Sequence, residues 1–96
     1  MKKQERHRKI CEELNDLYSR KNADYGDSFS KSYAEFGPVM SAIRLGDKLN
    51  RFKALVRGRQ QVNDESVRDT LMDLANYAIM TVIEMDIQED SIGETD

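Results

Sequence analysis

Apolar residues recur at steps of three and four in three stretches of the chain, which is the spacing of one face of an α-helix. The stretches cover about residues 3–21, 38–57 and 64–88. Gly37-Pro38 opens the second stretch, where proline suits the first helical position because an N–H there would have no partner. No stretch alternates apolar and polar residues as a half-buried strand does. The pattern therefore predicts an all-α fold with three main helices.

Residues 22–37 separate the first two predicted helices and are long for a connection in a small helical domain. Turn-forming residues begin the segment in the run NADYGDS. Four of its side chains are aromatic: Tyr25, Phe29, Tyr33 and Phe36. Ser32 and Glu35 also have the spacing of a capping box, which favours a short helical turn. We therefore expect a long ordered loop that packs on the helices rather than a free linker.

The third predicted helix is apolar on nearly every side between Leu71 and Ile83. Such a helix is usually enclosed on most sides, and two other helices of a 96-residue chain are too few to enclose it. We expect a second copy to complete a four-helix-type bundle, so that the chain forms a homo-oligomer, either a dimer or a tetramer. Residues 1–90 would then be a single all-α domain, and residues 91–96 a frayed acidic tail.

The length of 96 residues is that of one domain at most. The net charge is −3, but residues 44–59 are strongly basic and residues 84–96 contain acids and no base. The single Cys11 allows no internal disulfide and, with no signal-peptide pattern at the N-terminus, favours the cytoplasm. No apolar run is long enough for a membrane span. The net acidic charge and the lack of helix-turn-helix spacing disfavour nucleic acid as a partner.

A polar stripe of Asp69, Asp73 and Asn76 crosses the third predicted helix. An ionised carboxylate that is enclosed without a partner costs several kcal/mol. Asp73 must therefore be paired, hydrogen-bonded, protonated or bound to a metal ion. One interpretation is a salt bridge to the second predicted helix, which offers three cations: Arg44, Lys48 and Arg51.

Metal binding is the second interpretation of the polar stripe. Hard divalent cations such as magnesium prefer oxygen ligands, and the second predicted helix adds Asp47 and Asn50 at a spacing of three. The candidate ligands are then Asp47, Asn50, Asp69 and Asp73. Lys48 and Arg51 lie beside them in sequence and could bind phosphate, lysine as a point charge and arginine through two donors. The residues alone leave both interpretations open.

The runs KNADYGDSF, AIRLGDKLNRFKALV and DESVRDTLMDLANYA together resemble the nucleotide modification associated domain 1 family, a small phage and bacterial domain. The resemblance spans about residues 14–85. This family is distantly similar to the MazG-like all-α nucleoside triphosphate pyrophosphohydrolases, in which ExxE and ExxD motifs on two helices hold magnesium. The corresponding elements in this chain are Asp47-x-x-Asn50 and Thr70-x-x-Asp73, with Asp69 beside the second, so the carboxylate set is smaller.

The resemblance implies a magnesium-dependent pyrophosphohydrolase that acts on ordinary or modified nucleoside triphosphates, or a nucleotide-binding relative of such enzymes. Asp47, Asp69 and Asp73 would be the catalytic residues, and a metal-bound water would release a monophosphate and pyrophosphate. The expected substrate contacts are Lys48, Arg51, Asn76, Tyr77, Lys21 and Tyr25. The alternative is a non-enzymatic helical module that assembles with itself or with a partner in nucleotide or nucleic-acid modification.

Overall fold

Four α-helices account for most of the computed structural model, which describes residues 2–25, 27–58 and 65–94. In chain order they are α1 (Lys3–Tyr25), α2 (Ser28–Phe36), α3 (Pro38–Arg57) and α4 (Glu65–Glu94). These three ranges contain no strand, which confirms the predicted all-α class. None of the described helices has the length and apolar character that a bilayer span requires.

Most of the described residues of the segment 22–37 are helical, and the prediction of a long ordered loop there was wrong. α1 continues to Tyr25, and α2 occupies most of the remainder, so the described residues form four helices rather than three. Serine is common in α2 and gives it little intrinsic helix propensity. The helix forms because Phe29 and Tyr33, one turn apart, are both buried against the rest of the molecule.

Gly37 joins α2 directly to α3. Its φ of 72° lies in the region that favours glycine, and its N–H donates to the carbonyl oxygen of Tyr33 at 2.7 Å. α3 then begins at Pro38, as predicted. The two helices are therefore joined through a single residue, which keeps the end of α2 next to the start of α3.

The core lies where α2 covers one end of the pair formed by α3 and α4. α3 runs antiparallel to α4, since Lys48 contacts Asp73 whereas Arg44, one turn earlier, lies over Tyr77, one turn later. The core cluster contains Phe29, Tyr33 and Met40, with Tyr77 and Met80 packed against it. α2 thereby supplies the buried aromatic residues of the core, which pack against residues of both α3 and α4.

α4 is longer than predicted and only partly enclosed. It continues to Glu94, so residues 91–94 of the predicted frayed tail are helical, whereas residues 95–96 and the predicted start at residue 64 lie outside the described residues. Several of its large apolar side chains are exposed, including Ile79 and Val82. Completion of the bundle by a second copy stays a prediction.

Candidate functional site

Asp73 is held between two lysines on the side of α4 that faces α1 and α3. Lys21 of α1 donates from Nζ to one carboxylate oxygen at 2.9 Å. Lys48 of α3 donates from Nζ to the other oxygen at 3.1 Å. The predicted salt bridge between Asp73 and the second predicted helix, which is α3, is therefore present, and Lys48 makes it. The contact between Lys21 and Asp73 was not predicted, since the predicted role of Lys21 is substrate binding.

The environment of Asp73 keeps this carboxylate ionised. Burial raises the pKa of Asp73, but the hydrogen bonds and positive charges of Lys21 and Lys48 outweigh burial and hold the pKa below its ordinary value. One negative charge lies between two positive charges, so the group as a whole carries an excess of one positive charge. Such an excess favours an anionic ligand nearby.

A cleft of about 380 Å³ opens beside Asp73, and side chains from all four helices line it. We call it the four-helix cleft. Its aromatic wall includes the rings of Phe29 and Tyr77, which stack with their centroids 6.0 Å apart and their planes at 23°. The guanidinium carbon of Arg44 lies 6.0 Å from the centroid of the Tyr77 ring, within the range of a cation–π contact. The cleft thus brings apolar rings and a cation together.

Asn76 has a structural role as well as a place in the four-helix cleft. Its side chain is buried, and Nδ2 donates to the carbonyl oxygen of Leu14 at 3.1 Å. Because this bond joins α4 to α1, it fixes the position of the helix that supplies Lys21. Asn22 of α1 also lines the cleft, so amide groups from two helices are available there.

A second cleft of about 470 Å³ lies between α1 and α4 and is lined mainly by charged side chains of both signs. Asp69 lines this second cleft, together with Arg20 and Arg68. Lys21 and Asp73 line both clefts. The ion pair between Lys21 and Asp73 therefore separates the two clefts. Asp69 lies on one side of this ion pair, and Arg44 and Tyr77 lie on the other.

The structure does not bring the predicted metal ligands together. Asp47 and Asn50 are exposed on α3 and line neither cleft, and Asp69 lines only the second one. Across the described residues, no group of three or more His, Cys, Asp or Glu side chains is arranged to hold a metal ion. Both oxygens of Asp73 accept hydrogen bonds from ammonium groups, whose positive charges would repel a cation at the same carboxylate. As arranged, these residues do not fit a magnesium site.

The predicted substrate contacts are divided between the four-helix cleft and other parts of the molecule. Arg51 is exposed on α3 and lines neither cleft, and Lys48 contacts Asp73. The side chain of Tyr25 lies outside the part of the chain that the structure describes. Three of the predicted contacts line the four-helix cleft: Lys21, Asn76 and Tyr77.

Phe29 and Arg44 line the four-helix cleft but were not among the predicted site residues. Phe29 lies in the segment predicted as a loop. The sequence of a loop does not show which way a side chain points, because it has no regular period. The predicted role of Arg44 is that of a possible salt-bridge partner of Asp73. The sequence contains one signal for the position of Arg44. Arg44 lies four residues before Lys48, and two residues four apart lie on the same face of a helix.

Comparison with known proteins gives one match. A sequence model of a family described as nucleotide modification associated domain 1 matches residues 21–85, about two thirds of the chain. The matched region covers the end of α1, all of α2 and α3, and most of α4, and so includes every described residue of the four-helix cleft except Tyr18. Neither the curated proteins nor the solved structures include a match.

Proposed function

The chain belongs to the nucleotide modification associated domain 1 family, and from this premise we propose that it binds a nucleotide in the four-helix cleft. One observation carries the proposal: the cleft combines a stacked aromatic pair with two cations, Lys21 and Arg44, in a single space. Its volume of about 380 Å³ is within the usual range of small-molecule sites. A nucleotide offers the matching chemistry, since it joins a flat apolar base to phosphate groups.

The cations of the cleft support the phosphate end of the proposed ligand. Arg44 can donate two parallel hydrogen bonds to phosphate oxygens, and Lys21 can approach as a point charge. Asp73 and Lys48 would hold Lys21 in position through the carboxylate that the two lysines share. The excess positive charge of this group would favour a ligand with several negative charges.

The aromatic wall and the amides support the base end of the ligand. Apolar contact with Tyr77 and Phe29 would remove the faces of the base from water, which is the main source of affinity for a flat ring. Asn22 and Asn76 could then pair with donors and acceptors at the edge of the base. Because Asn76 also binds the Leu14 carbonyl, its amide would be held in one orientation before the ligand arrives.

Magnesium-dependent hydrolysis to a monophosphate and pyrophosphate is a separate prediction, which rests on the resemblance to MazG-like enzymes. The carboxylates assigned to it, Asp47, Asp69 and Asp73, lie in three different surroundings. Binding needs none of this metal chemistry, because the cations and rings of the cleft belong to the protein. Binding and hydrolysis should therefore be measured separately.

Isothermal titration calorimetry with nucleoside mono-, di- and triphosphates, each with and without magnesium, tests the binding proposal. We expect saturable binding that weakens at least about tenfold in Arg44→Gln, because a charge-assisted hydrogen bond contributes about 1.5–3 kcal/mol. Lys53→Gln is the matched control, since Lys53 is an exposed cation of the same helix that lines neither cleft. No saturable binding across the panel, or equal losses in the two variants, would contradict the proposal.

Product analysis tests hydrolysis in the same samples. The protein is incubated with magnesium and each triphosphate, and monophosphate and pyrophosphate are measured. Pyrophosphate release that is lost in Asp73→Asn, with helical content unchanged, would extend the proposal from binding to catalysis. Binding without release would restrict the function to nucleotide binding.

A further inference from the structure

An exposed apolar stripe with the spacing of a coiled coil runs along the side of α4 that is turned away from the four-helix cleft. Its members follow one another at alternating steps of four and three: Leu71, Ala75, Ala78, Val82 and Met85. These steps are those of the a and d positions of a heptad repeat, which form the contact line between two helices. We call these five residues the α4 seam.

Four of the five residues of the α4 seam are exposed in the single chain, and Ala75 is half-buried. Leu71 is 39% exposed, Val82 55% and Met85 54%. Single exposed apolar residues are common, but a continuous stripe of them marks an interaction site. A heptad stripe in particular is suited to a second long helix rather than to a flat surface, because each side chain fits between side chains of the facing helix.

The seam is complementary to itself when two copies run in opposite directions. In such a pair, residues at equal distances from the two-fold axis face each other. An axis between Ala75 and Ala78 puts Leu71 opposite the partner's Val82, and Ala75 opposite the partner's Ala78. The small residues then meet at the centre, where they allow close approach, and the large residues meet on both sides.

Charge favours the antiparallel arrangement over the parallel one. From residue 84 onward α4 carries only acidic charges, including Asp86 and Glu89. A parallel pair would bring these two acidic ends together, and like charges at an interface repel. In the antiparallel pair, the partner's Arg68 lies level with Met85 and within one helical turn of both acids. Arg68 is about half exposed while bonded to Glu13, so its remaining donors can reach a second carboxylate.

We propose that the α4 seam is the interface between two copies of this chain, whose α4 helices pair antiparallel about an axis between Ala75 and Ala78. The pairing goes beyond nucleotide binding and does not depend on it, because Asp73 and Tyr77 lie on the other side of α4. Each cleft stays open when the two seams meet. The interface gives the exposed apolar side of α4 a partner of the same length and pattern.

Sedimentation velocity over a wide range of protein concentrations tests the interface. The wild type is expected to form a dimer, and Val82→Glu to raise the dissociation constant at least about tenfold, because the charge would enter an apolar contact line. Val39→Glu is the control, since Val39 is 66% exposed on α3 and lies outside the seam. A wild type that stays monomeric, or a dimer that Val82→Glu leaves intact, would overturn the proposal. Circular dichroism shows whether each variant remains helical.

Cysteine cross-linking tests the direction of the two helices in a Cys11→Ser background. Leu71→Cys and Val82→Cys are each expected to form little disulfide alone, because equal residues are far apart in an antiparallel pair. A mixture of the two variants is expected to form the mixed disulfide. Efficient linking of each variant with itself, without a preference for the mixed pair, would indicate parallel helices and would overturn the antiparallel arrangement.

Discussion

The two sides of α4 differ in whether their side chains find partners within one chain. On the cleft side, Asp73 has two lysine partners and Asn76 has the carbonyl of Leu14, so single side chains are enough to satisfy the polar groups. On the seam side, Leu71 and Val82 remain exposed. Covering apolar groups requires surface area, and a chain of 96 residues has little to spare. The comparison teaches that single side chains of the same chain can satisfy polar residues within an apolar helix, whereas its apolar residues stay exposed until a larger surface covers them. A second copy of the chain is the surface that we propose.

Removing a core ring from the cleft side should have the largest effect on stability. Phe29→Ala is expected to lower the free energy of unfolding by about 3–5 kcal/mol, because the buried ring contacts the core and stacks on Tyr77. Phe36→Ala is the matched control in the same helix, since Phe36 is 63% exposed. Urea denaturation measures both values. Similar losses in the two variants would show that α2 is not fixed by its buried face.

Removing the bridging amide should have the next largest effect. Asn76→Ala is expected to cost about 0.5–1.5 kcal/mol, because it removes a buried hydrogen bond that joins α4 to the Leu14 carbonyl of α1. Asn50→Ala, at an exposed position of α3, should change stability by less than about 0.5 kcal/mol. Thermal unfolding of the two variants measures the contrast. If Asn50→Ala cost as much as Asn76→Ala, the bond between α1 and α4 could not be the cause.

Acid should remove the contribution of the Asp73 pairs. The pKa of Asp73 is lower in the folded chain than its ordinary value, so its contribution to stability is fully present above the unfolded pKa and is lost as pH falls through the folded pKa. We therefore expect Asp73→Asn to be less stable than wild type at neutral pH and to approach it in acid. Urea denaturation at a series of pH values, from neutral pH to below the folded pKa of Asp73, measures the difference in unfolding free energy between the two proteins. A difference that stays constant with pH would contradict the ion-pair account.

Changes on the seam side should have the smallest effect on the isolated chain. Met85→Ala is expected to change the unfolding free energy of dilute monomer by less than about 0.5 kcal/mol, because the side chain is already exposed. At high protein concentration the same variant should melt below the wild type, since a weaker dimer stabilises the fold less. Calorimetric scans at both concentrations measure this contrast. A large loss in the dilute sample would place Met85 in the core of the single chain.

The sequence predicts the helices whose signals are local and not those that depend on distant contacts. Pro38 marks the start of α3, and the apolar period of α4 is evident along the chain. α2 was not predicted as a helix, because the burial of Phe29 and Tyr33 depends on residues of α3 and α4 far along the sequence. Propensity alone is weak evidence for so short a helix.

The same limit applies to the candidate site. Residues that share a helix face can be read from their spacing, which correctly grouped Asp73 with Asn76. Spacing does not give the rotation of one helix relative to another, so Asp47 was expected to face Asp73 but is exposed on α3. The second partner of Asp73, Lys21, lies 52 residues earlier on α1. A pairing over that separation is set by the packing of the whole molecule rather than by a local pattern.

The most direct test of the proposed nucleotide site is an NMR titration of the amide signals with a nucleoside triphosphate in the absence of magnesium. We predict saturable shifts confined to residues of the four-helix cleft, with Lys21, Arg44 and Tyr77 among the largest. Signals of Asp47 and Arg51 on the exposed part of α3 should stay in place. The absence of saturable shifts, or shifts centred on Asp47 and Arg51, would contradict the assignment of the cleft as the nucleotide site.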